Sequence, residues 1–62
     1  MNNETVTQTI AETDNYMAWS AEEPDDEITY HLELNSVTLH FYREEWDEFL
    51  KLAALVLKEF KS

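Results

Sequence analysis

The chain has 62 residues, with fourteen Asp and Glu against four Lys and Arg, a formal charge of −10 at pH 7, and no cysteine. A chain this short forms one small domain with a marginal core, and without cysteine it has neither disulfides nor thiolate metal sites. The acidic balance argues against direct binding to nucleic acid, which depends on Lys and Arg. Anionic membranes are disfavoured for the same reason, because they too attract basic segments.

The first ten residues lack the basic start and apolar run of a secretory signal, and no segment approaches a membrane-spanning length. A cytoplasmic protein is the simplest expectation. The apolar fraction of 44% is too high for a disordered chain and predicts a folded one.

The N-terminal part of the chain predicts two strands. After a frayed start at residues 1–4, the Thr-, Val- and Ile-rich residues 5–11 favour a strand, and residues 16–21 favour another that carries Trp19. A turn through residues 13–15 would join them. Residues 22–27 (EEPDDE) contain five acids and the only proline, which is typical of a solvated loop.

Residues 28–34 and 37–42 predict a β-hairpin. Apolar and polar residues alternate in both segments, as they do in strands with one buried face. A two-residue turn at Asn35-Ser36, in which Asn35 tolerates the positive φ of a type I′ turn, sets Leu32 opposite Leu39. A slip by one residue would mix the two faces, so the apolar pattern selects this register.

Residues 44–60 predict an amphipathic helix. Apolar residues recur there at steps of three and four, acidic residues fill the first turn and lysines lie in the last. The apolar stripe consists of Trp46, Phe49, Leu50, Ala53, Ala54, Val56, Leu57 and Phe60. Leu52 and Leu55 lie well away from the centre of this stripe, so they are either scattered surface leucines or a second contact face that joins the first through Val56.

These elements predict an α+β fold, an antiparallel β-meander of three or four strands followed by one C-terminal helix packed on the apolar face of the sheet. Ordering 62 residues costs about as much free energy as apolar burial in so small a domain returns. We therefore expect further burial between copies, and a two-fold homodimer is the commonest assembly.

The hairpin register also makes His31 and His40 direct neighbours on the polar face, with Glu33 on the same face. Cross-strand neighbours have Cβ atoms about 5 Å apart, which would let both rings bind one zinc ion with Glu33 as a third ligand. The spacing matches no established metal motif, and two polar residues on a sheet face are the simpler interpretation. No phosphate-binding loop, nucleophile motif or cofactor motif is present in the sequence.

The sequence therefore predicts a small acidic protein-interaction module that is not an enzyme, binds no cofactor and forms a homodimer. The candidate interface residues are Leu52, Leu55, Val56 and Trp19, because exposed apolar and aromatic side chains dominate protein interfaces. One alternative is an acidic inhibitor or nucleic-acid mimic that occupies a basic partner protein. A further alternative is a zinc-binding module through His31 and His40.

Overall fold

A computed structural model describes residues 5–61 as a four-stranded antiparallel sheet, in the order β1-β2-β3-β4, followed by one helix. The elements are β1 (Val6–Glu12), β2 (Tyr16–Glu22), β3 (Ile28–Leu34), β4 (Val37–Phe41) and α1 (Arg43–Lys61). The α+β meander predicted from the sequence is confirmed, and its fourth strand is present. The expected fraying of residues 1–4 lies outside the described residues.

The β3-β4 hairpin has the predicted register. Leu34 pairs with Val37, and His31 pairs with His40, so the apolar alternation does select the pairing. Asn35 adopts a φ of 65°, in the left-handed region that Asn tolerates, whereas Ser36 does not. A type I′ turn requires positive φ at both central residues, so the turn differs from the type that the sequence favoured.

The β1-β2 hairpin is less regular. Its pairing shifts between Thr9 and Ala11, where β1 contains a bulge. The connection is fixed by Thr13, whose backbone N–H donates to the Tyr16 carbonyl at 2.8 Å and whose Oγ1 accepts from the Tyr16 N–H at 3.2 Å. Local hydrogen bonds from a threonine thus take the place of glycine in this turn.

The acidic connection between β2 and β3 forms a closed turn. The Glu23 N–H donates to the Glu27 carbonyl at 2.8 Å, and the Asp26 N–H donates to the Glu23 carbonyl at 3.0 Å. The Asp25 carboxylate accepts from the Glu27 N–H at 3.2 Å, and Asp26 takes a φ of 69°. The segment therefore holds its acidic side chains on an ordered backbone.

The helix α1 begins with half of a capping box. The Glu45 carboxylate accepts a hydrogen bond from the Tyr42 backbone N–H at 3.0 Å, while the Tyr42 carbonyl accepts the first helical bond from Trp46. This is the reciprocal contact that a Glu in the third helical position makes. It compensates for a capping residue whose own side chain is not one of the usual acceptors.

Aromatic rings form the contact between the helix and the sheet. Trp46 is buried and stacks on Tyr30 with ring centroids 5.2 Å apart, and it meets Phe41 at 5.4 Å and Phe49 at 5.5 Å. Arg43 donates to the Tyr30 hydroxyl at 3.0 Å and so ties the start of the helix to the same cluster. These contacts all lie in the first two turns of α1.

Candidate functional site

The distal half of α1, residues 52–61, carries an apolar stripe whose large side chains are exposed. We call this set the distal stripe; it consists of Leu52, Ala53, Val56, Leu57 and Phe60. Phe60 is 86% exposed, Leu57 56% and Val56 46%. Together with Phe49, the distal stripe lines an open apolar groove along the helix. Such a patch is unusual on a monomeric protein and is typical of an interaction surface.

The distal stripe is exposed because α1 extends past the sheet. A helix of 19 residues is about 28 Å long, whereas strands of five to seven residues reach only about 17–24 Å. Among the described residues, α1 contacts β3 and β4 but neither β1 nor β2. The molecule is elongated as a result, with a longest extent of 51 Å.

The structure corrects how much of the helix stripe packs on the sheet. The sequence pattern placed Leu57 and Phe60 on one apolar stripe with Trp46, packed on the sheet, but they are exposed, as is Val56, which was also predicted to be an interface residue. Periodicity predicts which residues share a face of a helix, but it does not predict how much of that face is covered by other parts of the protein. The available signal was the length of the helix relative to the strands.

The predicted interface residues fall on two separate surfaces. Leu52 and Val56 lie in the groove of the distal stripe, and Leu55 lies beside Leu52 on the outer side of the helix, 61% exposed. Trp19 lies elsewhere, because it pairs with His31 and therefore occupies the face of the sheet opposite α1. We call that side the back face. Trp19 is half-buried there.

On the back face, Trp19, His31 and His40 form a row across three strands. The rings of Trp19 and His31 stack with centroids 4.0 Å apart, and the rings of His31 and His40 meet edge to face. The Nδ1 atoms of the two histidines are 2.7 Å apart, so one donates a hydrogen bond to the other. The Nε2 atom of His31 bonds to the Thr29 hydroxyl at 3.0 Å. Both ring nitrogens of His31 are therefore occupied.

This geometry is that of a histidine pair joined by a hydrogen bond. Two imidazole nitrogens on one tetrahedral zinc ion, each about 2.0–2.1 Å from the metal, stand about 3.3 Å apart, so the rings would have to separate. Glu33 does not join them, since no group of three potential ligands occurs within residues 5–61. Burial and, secondly, repulsion from His40 lower the pKa of His31 below its ordinary value. A neutral His31 agrees with that direction.

Charge is divided between the sheet and the helix. All four basic residues are in α1, whereas residues 1–42 contain nine acids and no base. Within α1 the acids gather in the first two turns, and three of the four bases, Lys51, Lys58 and Lys61, follow them with Glu59 as the only acid in that part. The distal half of the helix, residues 52–61, is thus apolar and contains Lys58 and Lys61 against Glu59, a net charge of +1.

Within the part of the chain that the structure describes, no helix has the length and uncharged apolar sequence needed to cross a bilayer. No family model matches the chain, and neither do the curated proteins or the solved structures with which it was compared.

Proposed function

We propose that this protein is a small acidic interaction module, without enzymatic activity, that self-associates through the distal half of α1. The observation that carries the proposal is the distal stripe, a run of large apolar side chains on an ordered helix that has nothing packed against it. A helix with one apolar face gains most of its stability from burying that face, so the exposed half is poorly supported in a single copy.

The hydrogen bonding of the buried polar side chains also favours an interaction role over catalysis. The one buried polar side chain among residues 5–61 is His31, and hydrogen bonds to Thr29 and His40 occupy it. No buried polar side-chain atom in that range lacks a partner. Catalytic groups, in contrast, are polar groups held ready for a substrate.

Sedimentation equilibrium at micromolar concentration tests the proposal. We expect the wild-type chain to sediment as a dimer and Val56→Glu to sediment as a monomer, because a charge buried in an apolar interface costs several kcal/mol unless it is paired. Val6→Glu is the matched control. Val6 is also an exposed valine, at 61%, but it lies in β1, which does not contact α1.

A wild-type monomer in that measurement would refute self-association. Equal effects of Val56→Glu and Val6→Glu would refute the assignment to the distal stripe. Circular dichroism of both variants shows whether each remains folded, so that a change of mass is not confused with unfolding.

A second candidate function, an acidic inhibitor or mimic that occupies a basic partner, is favoured by the separation of charge. The ordered acidic turn at residues 23–27 and the base-free sheet present one sign of charge, which steers association with a basic protein and repels nucleic acid. Pull-down against basic nucleic-acid-binding proteins tests it. Binding should weaken as salt rises, and salt-independent binding would count against this role.

A further inference from the structure

We infer that the distal stripe of each copy packs across the sheet of a second copy, on the apolar face that the sheet's own helix leaves partly open. This inference rests on the self-association proposed above and names the surface that the distal stripe contacts. Because each copy gives one helix and receives one, the exchange is reciprocal and closes at two copies.

The receiving surface is an apolar patch on the face of the sheet that holds Tyr30. The strand register sets its six residues in two rows across β2, β3 and β4. We call this set the front patch; it consists of Tyr16, Ala18, Leu32, Leu34, Val37 and Leu39. Leu32 is buried, but Val37 is 50% exposed, and Tyr16 and Leu39 are exposed as well. The front patch is thus a second apolar surface that a single copy leaves open to water.

Both apolar surfaces are open because α1 and the sheet lie nearly end to end. The longest extent of the molecule, 51 Å, is close to the sum of a 19-residue helix, about 28 Å, and a seven-residue strand, about 24 Å. Trp46, in the first turns of α1, packs on Tyr30 and Phe41. The rest of the helix extends past the sheet, so the distal stripe and the front patch of one chain do not cover each other.

Each surface continues the contact that already joins the helix to the sheet. The distal stripe prolongs the face of α1 that holds Trp46 and Phe49, and the front patch lies on the face of the sheet that holds Tyr30 and Phe41. The stripe is therefore suited to an apolar sheet, and the patch to an apolar helix. Their widths agree as well, because three adjacent strands span about 10 Å, the diameter of a helix with its side chains.

The reciprocal exchange is the pairing of two copies that covers both surfaces. A contact between two distal stripes would leave both front patches exposed, and a contact between two front patches would leave both stripes exposed. In the exchange every stripe meets a patch, so the dimer removes both kinds of apolar surface from water.

Sedimentation equilibrium of two neighbouring variants in β4 tests the inference. Val37 belongs to the front patch, whereas Thr38, which has nearly the same shape, pairs with Glu33 and lies on the back face. We expect Val37→Lys to sediment at half the wild-type mass, because its charge would be buried against the partner's distal stripe. Thr38→Lys is the matched control and should remain a dimer, since the new ammonium group would face the Glu33 carboxylate.

Cross-linking gives a second measurement that introduces no charge, and the natural chain has no competing thiol. A short bismaleimide should link the two chains in an equimolar mixture of Val37→Cys and Val56→Cys, with a mass tag on one variant to identify the mixed product. The mixture of Thr38→Cys with Val56→Cys should give much less product, because residue 38 lies on the opposite face of the sheet. This measurement decides the matter if circular dichroism shows that Val37→Lys is unfolded.

A folded Val37→Lys variant that remains dimeric would overturn the inference. Equal mixed products from residues 37 and 38, or none from either, would overturn it too. Any of these results beside a monomeric Val56→Glu would leave self-association through the distal stripe intact. A wild-type monomer would instead refute the proposed function, so the two failures are distinguishable.

Discussion

Replacing one aromatic and one aliphatic residue of the same helix separates what stabilises the fold from what stabilises the assembly. Trp46 is 7% exposed and contacts Tyr30, Phe41 and Phe49, whereas Leu57 is 56% exposed in the single copy. We therefore compare Trp46→Ala with Leu57→Ala. The first change acts within one chain, and in the proposed dimer the second acts mainly between chains.

The magnitudes differ sharply for a domain of this size. Truncating a buried tryptophan to alanine costs about 3–5 kcal/mol. A chain of 62 residues has a free energy of unfolding of about 3–9 kcal/mol, at 0.05–0.15 kcal/mol per residue. Trp46→Ala should thus remove between about a third and all of the stability at any protein concentration, and it should release the helix from the sheet.

Leu57→Ala should depend on protein concentration. In a dilute monomer the side chain is already more than half exposed, so its loss should cost about 1 kcal/mol or less. Once it is buried between copies, the cost should rise to about 2 kcal/mol or more. The free energy of unfolding of a dimer depends on concentration by mass action, which makes the difference measurable.

Urea unfolding followed by circular dichroism, at about 1 µM and about 100 µM protein, provides the assay. The wild type should become more stable with concentration, and Leu57→Ala should lose much of that gain. A cost for Leu57→Ala that is the same at both concentrations would refute the reasoning about the interface. A Trp46→Ala variant as stable as Leu57→Ala at the lower concentration would refute the reasoning about the core.

Substitutions at three further residues test local features of the fold. Because the pKa of His31 lies below its ordinary value near 6.5, the unfolded chain takes up the proton first as the pH falls. The free energy of unfolding should therefore decrease below about pH 6.5 relative to His31→Gln, and a constant difference between the two in urea titrations from pH 8 to pH 5 would contradict this. Glu45→Ala should cost about 0.5–1 kcal/mol in thermal unfolding because it removes the bond to Tyr42, while Glu45→Gln, which can still accept that bond, should cost less. Asn35→Ala should cost about 1 kcal/mol, because the Cβ atom of alanine disfavours a φ of 65°, whereas Asn35→Gly should not have this cost. Equal unfolding midpoints for the two variants would contradict this assignment.

The β3-β4 hairpin and its register followed from the sequence because both strands alternate apolar and polar residues, whereas the register and the bulge of the β1-β2 pair did not. Alternation in residues 28–34 and 37–41 allows one pairing that keeps a face apolar, and it placed His31 opposite His40. The helix was equally clear from its periodicity and end charges. Local patterns of this kind survive folding because tertiary contacts reinforce them.

The number of helical turns of α1 that the sheet covers did not follow from the sequence. Trp46 and Phe60 belong to the same apolar stripe, yet one is buried and the other is 86% exposed. Their difference depends on where the sheet ends beneath the helix, which is a tertiary property. The hydrogen bond between His31 and His40 likewise depends on side-chain rotamers, which the register brings together but does not set.

The bulge in β1 bears on how large an assembly can become. Strands β1 and β4 are the two edges of the sheet, and a long regular edge invites further strands and leads to fibres. The shift between Thr9 and Ala11 breaks the ladder of β1 into short runs, and β4 has only five residues. Neither edge offers an incoming strand a continuous template. Polymerisation through the edges of the sheet is thereby disfavoured.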